Sequence, residues 1–177
     1  MPITQQQLLQ ILPSAGAKAG VFVPALNTAM GKYGIIGRLR VAAFIAQIGH
    51  ESGQLRWMKE LWGPTPAQLG YEGRKDLGNT HPGDGSKYRG RGPTQITGRA
   101  NYAACGEALG LDLINNPQLL ELPQHAAMSS AWFWSTRGLN TLADQGKFVT
   151  ITRRINGGLT GQEDRQALYE KALKVLT

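Results

Sequence analysis

One cysteine, Cys105, is all the thiol chemistry that this 177-residue chain carries. An intramolecular disulfide framework and a cysteine-based metal cluster are thereby excluded. Among its apolar neighbours, Cys105 reads as a small buried helix residue. Histidine is scarce as well. His50, His81 and His125 are too scattered for a metal site, and no helix carries the paired-histidine spacing of a zinc protease. No metal or cofactor is expected. No window approaches the roughly 18 apolar residues of a membrane span, so no stable membrane insertion is expected either. The N-terminal Met-Pro-Ile-Thr-Gln-Gln-Gln lacks the basic region and apolar core of a secretory signal. The reading is synthesis in the cytoplasm, with another factor needed for release if the protein works elsewhere.

Acidic residues are also in short supply. Lys and Arg number 19 against 12 Asp and Glu, a formal net charge of +7. A field of that sign favours anionic partners: nucleic acid, acidic lipid or an anionic cell-wall polymer. The charge is not in one block, which weakens the nucleic-acid reading. Its nearest approach to a cluster is Lys87-Tyr-Arg-Gly-Arg91, with Arg153-Arg154 and Arg38/Arg40 elsewhere. With 41% apolar and 18% charged residues, and no linker, repeat or low-complexity tract, residues 1–177 read as one ordinary globular domain.

What is abundant is helix signal. Thr4 with Gln7 makes a capping-box pattern ahead of Leu8, Leu9, Ile11 and Leu12. Pro24 suits the first turn of a helix running to about Tyr33 and closed by Gly34. Arg38 to about Glu51 forms a helix stopped near Gly53. Short helices are expected after Thr65-Pro66, over Asn101 to Leu109 and after Asn116-Pro117. Pro123 begins a long helix ending at Gly138. Phe148 to Ile155 is ambiguous because of its β-branched residues. Thr160 with Glu163 makes a capping box before a last helix through Leu168, Tyr169 and Leu173. Between Gly70 and Gly98 lie eight of the 23 glycines (70, 73, 78, 83, 85, 90, 92 and 98). So long an irregular stretch is usually functional, and a short hairpin within it is possible. The fold class is mainly α, with a long glycine-rich loop region.

The chemistry concentrates where the apolar helix Val41-Ala-Ala-Phe-Ile-Ala-Gln-Ile-Gly-His50-Glu51 ends. That helix has almost no solvent-compatible face and should be buried, yet it finishes in a carboxyl group. Desolvation disfavours the charged form of a carboxyl, the condition a general acid needs. Gln47 and Glu51 share a face at i,i+4. The alternative is a solvated Glu at a frayed end. Glu60, beside Lys59, is the next carboxylate along the chain, with Glu72 and Asp76 as rivals. Two carboxylates flanking a sugar linkage suffice for glycoside hydrolysis. In Arg89-Gly-Arg-Gly-Pro-Thr94-Gln95-Ile-Thr97-Gly98, an extended stretch would put Gln95 and Thr97 on one side. Thr97 could instead cap the next helix, and the basic pair could contact phosphate. Asn156, ahead of Gly157-Gly158, is either a site amide or part of a helix C-cap.

Taken together these blocks resemble glycoside hydrolase family 19. Ala43-Phe-Ile-Ala-Gln-Ile-Gly-His-Glu51-Ser-Gly, Tyr88-Arg-Gly-Arg-Gly-Pro-Thr-Gln-Ile-Thr97 with Asn101-Tyr102, and Arg154-Ile-Asn156-Gly-Gly are similar to that family's signatures, in its order. The compact form, with Leu77-Gly-Asn-Thr-His-Pro-Gly-Asp-Gly-Ser before the second block, is similar to bacteriophage endolysins and prophage lysozymes rather than to plant chitinases. The resemblance spans about residues 38–170.

It implies a lysozyme-like, mostly helical domain with a cleft between two lobes. By resemblance Glu51 would be the general acid and Glu60 the general base, while Thr97 would hold the nucleophilic water. Gln95, Asn101 and Asn156 fall at substrate-cleft positions, with Tyr88 and His50 beside them, and Arg165 looks like the family's cleft-side arginine. For Arg165 the alternative is a buried ion pair with an acidic partner. The chain departs from the chitinases, which place their base much farther along and, in plants, carry disulfides. The implied reaction is inverting hydrolysis of the β-1,4 bond between N-acetylmuramic acid and N-acetylglucosamine. Its partner would be peptidoglycan glycan strands, met in the periplasm by a monomer released for host lysis. Chitinase and lytic transglycosylase activities are the enzyme alternatives, and a basic nucleic-acid-binding protein using Arg89, Arg91, Arg153 and Arg154 is the alternative outside catalysis.

Overall fold

A computed structural model describes residues 2–177. Ten α-helices follow one another: α1 (Gln5–Ile11), α2 (Lys18–Lys32), α3 (Arg38–Glu51), α4 (Pro66–Leu69), α5 (Asp84–Lys87), α6 (Arg99–Leu109), α7 (Pro123–Thr136), α8 (Leu139–Asp144), α9 (Phe148–Asn156) and α10 (Gln162–Val175). Short 3-10 turns lie at Pro13–Ala15, Lys75–Leu77 and Pro117–Glu121. Among the described residues the only β pairing consists of two isolated bridges, Lys59 with Arg91 and Arg91 with Ile96. The mainly helical class read from the sequence is the one observed.

Helix α3 is the axis of the main core. Every residue from Val41 to Gly49 is buried, with α10 and α8 packed against it. Phe44 meets Trp134 of α7 edge to face, ring centres 5.4 Å apart. Its observed bounds coincide with those expected, because the apolar run and the Gly37 and Gly53 breaks all agree.

Helix α2 starts six residues before Pro24, which therefore sits inside the helix rather than at its entrance. An internal proline costs about 3 kcal/mol. Phe22 and Leu26, buried in the main core, each recover about 1.5–3 kcal/mol. Packing outweighs the local preference.

Helix α10 also differs from expectation. Its N-cap is Gly161, in the left-handed region at φ 73°, and no side chain caps it, so Thr160 and Glu163 form no capping box. The backbone instead turns tightly under His50. A Cβ at Gly161 would lie 2.3 Å from the imidazole.

The glycine-rich segment is ordered mainly by polar bolts, and its expected short hairpin is reduced to a single antiparallel pair, Arg91 with Ile96. Buried Asp84 receives a two-pronged contact from Arg99 (2.8 and 2.9 Å). The Arg99 guanidinium holds the Asp84 carboxyl below the usual carboxylate range. Buried Asn79 accepts from the Arg99 backbone N–H (2.9 Å) and donates to the Tyr71 carbonyl (2.8 Å). Beneath this segment a second apolar cluster gathers Tyr88, Ile96, Tyr102, Cys105, Leu113 and Leu120. Burial pushes the Cys105 thiol up to about 12, an inert core thiol as expected. The two clusters are the cores of two lobes, and the cleft runs between them.

Candidate active site

Glu51 closes α3 at the cleft edge, with its side chain 23% exposed, so it is neither sealed in the core nor idle in solvent. One carboxylate oxygen meets Arg165 Nη2 at 2.6 Å. Arg165, only 1% exposed, lies beneath Glu51 rather than on the cleft wall that the resemblance assigned to it. Its Nη1 donates to Gln47 Oε1 (2.6 Å) and its Nε to the Thr160 carbonyl (3.0 Å). Gln47 in turn donates to Thr152 (2.9 Å). A buried guanidinium survives only with such satisfaction. His50, one residue earlier, sets its Nδ1 2.7 Å from Asp164. Consecutive residues of α3 thus pair with consecutive residues of α10.

Glu60 follows Glu51 in the chain beyond the Gly53 break and lines the same cavity. Its Oε1 accepts from the Gly90 N–H (2.9 Å). Its Oε2 accepts from Gln68 Nε2 and from the Tyr71 hydroxyl, both at 3.0 Å. Burial first, and the bond to Glu60 second, push the Tyr71 phenol above its ordinary value, so it serves as a donor. The rival Glu72 is exposed and is occupied with the backbone N–H groups of Gly83 (3.0 Å) and Gly85 (3.4 Å). Asp76 pairs with Arg74 at 2.8 Å. Neither rival reaches the cleft.

A cavity of about 340 Å³ is lined by Glu51, Trp57, Lys59, Glu60, Leu61 and Gln95. Gln95 reaches it by a route other than the extended stretch expected. Arg91 and Ile96 exchange backbone hydrogen bonds (3.1 and 2.9 Å), which closes a tight turn with Gln95 at φ 54°. Gly90 leaves room for the Gln95 amide, since a Cβ would fall 2.5 Å from Gln95 Oε1 and push that side chain aside. Thr97 is half-buried just beyond this turn and donates to the Gln95 carbonyl (2.9 Å), leaving its oxygen lone pairs as acceptors. It does not cap α6, whose N-cap is Gly98. Exposed Asn101 donates to the Thr97 carbonyl (2.8 Å) and so braces it. Asn156 is the exposed last residue of α9, and Gly157 takes the left-handed C-cap at φ 82°.

Tyr88 is not a cleft residue. It is fully buried in the second cluster and donates to the Ile114 carbonyl at 2.6 Å. Its apolar ring is better placed under the glycine-rich loop than in water. The basic pair of that loop is likewise turned inward. Arg91 is 8% exposed and bonds Glu121 (3.0 Å), while Arg89 lies over the Trp62 ring at 4.8 Å and bonds Ser86. Neither is free to follow a phosphate backbone, which removes half of the arginines that the nucleic-acid reading needs.

Sequence reasoning missed Trp57, 55% exposed in the cleft wall, and the holders Gln68, Tyr71 and Asp164. For Gln68 a signal existed: Thr65-Pro-Ala-Gln68 is a capping box. Nothing local marks Asp164, and Tyr71 stands out only as an aromatic within the glycine-rich stretch.

The sequence pattern of the chitinase class I family matches residues 17–143. A glycosyl hydrolase family 19 domain-containing protein of Haemophilus influenzae is 33% identical over 99% of this chain and 97% of its own length. An endochitinase of Arabidopsis thaliana is 36% identical over 77% of this chain but only 46% of its own. The chain therefore spans about half the length of such plant relatives. Among solved structures, chitinase C from Streptomyces griseus superposes with a TM-score of 0.80 at 27% identity, over 98% of this chain and 92% of that one. A bacterial family 19 chitinase gives 0.77 at 28%, over 98% and 94%.

Proposed function

Because the chain belongs to glycoside hydrolase family 19, we propose that it hydrolyses the β-1,4 bonds of peptidoglycan as a compact endolysin. The observation that carries the reading is that Glu51 and Glu60 line one cavity, each held by its own set of partners. Glu51 acts as general acid, protonating the glycosidic oxygen. Glu60 acts as general base and takes a proton from water, which Thr97 orients through its free lone pairs. Water then attacks the opposite face of the sugar with inversion, a geometry that needs room for that water between the carboxylates. Gln95 supplies an amide to the sugar from the same wall, and Trp57 an aromatic face. Asn101 acts through Thr97, Arg165 through Glu51, and Tyr88 through the loop above it. His50 is tied to Asp164, and exposed Asn156 ends α9; neither lines the cavity.

Substrate charge supports the wall polymer. Peptidoglycan carries carboxylates on its stem peptides, and on the lactyl group of any muramic unit without a peptide, whereas chitin carries none. The net charge is +7, and Lys59 stands in the cleft wall with its side chain 45% exposed. Its counter-ion Glu121 is 3.8 Å away and is already held by Arg91 at 3.0 Å. Lys59 is thus available to an anionic sugar. Chitin is the second reading, favoured by the activities named for the plant and Streptomyces relatives. A transglycosylase would need a single carboxylate, which leaves Glu60 without a purpose. The protein would act as a monomer in the periplasm, released from the cytoplasm by a separate pore-forming partner.

Mass spectrometry of digested peptidoglycan and of chitin oligomers, with Glu51→Gln as control, decides among these. Hydrated muramic reducing ends are expected from peptidoglycan. Anhydro ends would replace hydrolysis with transglycosylation, and cleavage of chitin alone would replace the substrate.

A further inference from the structure

The short helix α4 does more than shape a loop. Its capping-box glutamine, Gln68, is 5% exposed and uses every polar position it has. Its Oε1 accepts from the N–H groups of Gly63 (3.1 Å) and Thr65 (2.8 Å), the ordinary work of a capping glutamine. Its backbone N–H donates to Thr65 Oγ1 (3.2 Å). What remains is the amide NH₂, which donates to the Leu61 carbonyl (2.6 Å) and to Glu60 Oε2 (3.0 Å). Tyr71, two residues past the helix, donates to that same oxygen (3.0 Å). Tyr71 is itself held: its carbonyl accepts from Asn79 (2.8 Å) and its ring leans on Trp62, centres 6.0 Å apart.

We infer that Gln68 and Tyr71 are positioning residues that aim Glu60 into the cleft, so that the cap of α4 and the orientation of the base are one device. The inference rests on the reading of Glu60 as the general base. The physical case is conformational. A glutamate side chain has several rotatable bonds, and two donors on one oxygen with the Gly90 N–H on the other leave it a single orientation. Catalysis by a base depends on placement, and an error of about 1 Å can cost about 100-fold. Neither Gln68 nor Tyr71 lines the cavity, and both reach it only through Glu60.

The two duties of Gln68 can be separated. Glutamate serves a capping box as well as glutamine does, so Gln68→Glu keeps the acceptors for Gly63 and Thr65. It loses the amide donor and faces Glu60 with a like charge. Tyr71→Phe removes the other donor and keeps the ring against Trp62. Steady-state kinetics on solubilised peptidoglycan, thermal melting and a Glu60→Gln control form the experiment. We expect kcat to fall about 10- to 100-fold in each variant with KM within about twofold; the melting temperature should stay nearly unchanged in Tyr71→Phe and fall in Gln68→Glu, which buries a carboxyl beside Glu60. In Gln68→Glu the acidic limb of the rate profile should also move to higher pH, because two adjacent carboxyl groups resist ionising together. Wild-type kcat in both variants, with Glu60→Gln inactive, overturns the positioning role. So does a rate loss in Tyr71→Phe that only follows a loss of melting temperature. An active Glu60→Gln enzyme instead removes the base itself, and the inference falls with it.

Discussion

At the scale of single residues, Glu51 owes its orientation to a guanidinium that substrate never meets. Arg165 is buried with three acceptors around it, from Glu51, Gln47 and Thr160. Removing it leaves the buried Gln47 amide oxygen unpaired and the half-buried Glu51 without its counter-charge, so Arg165→Ala should cost about 3–5 kcal/mol in urea unfolding. Arg165→Lys should recover little of this, since an ammonium cannot match a fork that reaches three acceptors. Glu51→Gln is the complementary experiment. It keeps the shape and an oxygen for Arg165 but has no proton to give. Hydrolysis should fall by about 10²–10⁴-fold while circular dichroism stays native. The sequence marked Glu51 because a carboxyl ends an apolar helix. It could not mark the reason that carboxyl is tolerated, because Arg165 lies 114 positions away and the contact exists only once α3 and α10 have packed.

Among the elements, α3 and α10 meet through two pairs of consecutive residues, His50 with Asp164 and Glu51 with Arg165. Gly161 permits the approach. Its φ of 73° and the 2.3 Å from a built Cβ to the imidazole both exclude a side chain. We predict that Gly161→Ala costs about 1–2 kcal/mol from backbone strain alone. It should also displace His50, seen as a changed imidazole resonance by NMR. A variant as stable as wild type with an unmoved His50 would refute this. Element boundaries were legible where several local signals agreed. The capping box of α1, the full span of α3 and the start of α7 at Pro123 all follow from neighbouring residues. They were illegible where packing overruled propensity, as at Pro24 inside α2 and at the uncapped entry of α10. The ambiguous Phe148 segment became helix because Phe148 stacks on Tyr169 of α10, ring centres 4.2 Å apart.

For the whole molecule, charge sets two expectations. The first concerns acid. Asp84, buried and paired with Arg99, has its folded value held below the ordinary one of about 3.9. A depressed carboxyl stabilises the folded state fully above its unfolded value, and that contribution is lost as pH falls through the lower folded value. Stability should therefore drop below about pH 4, and Asp84→Asn should flatten that limb of a urea midpoint against pH. An unchanged slope would place the acid sensitivity elsewhere. The second concerns salt. With a net charge of +7 and Lys59 in the cleft, cleavage of peptidoglycan should weaken as salt rises, since screening shortens to about 8 Å at 0.15 M. Lys59→Met should lower kcat/KM on peptidoglycan severalfold and leave that on neutral oligomers unchanged. Equal effects on both polymers would show that Lys59 does not read charge.

The sequence by itself determined the helical class, the extent of α3, and the glycine-rich segment as the place where irregular backbone would serve a site. These are local properties, set by periodicity, caps and the conformational range of glycine, and they need no distant partner. Only the tertiary structure decided which residues face the cleft and which stand behind it. Tyr88 and Arg165 went into the core, Trp57 and Lys59 came to the wall, and Glu60 rather than Glu72 lines the cavity that holds Glu51. Burial and pairing are relations between segments far apart in the chain, so they are settled only when the two lobes close on each other.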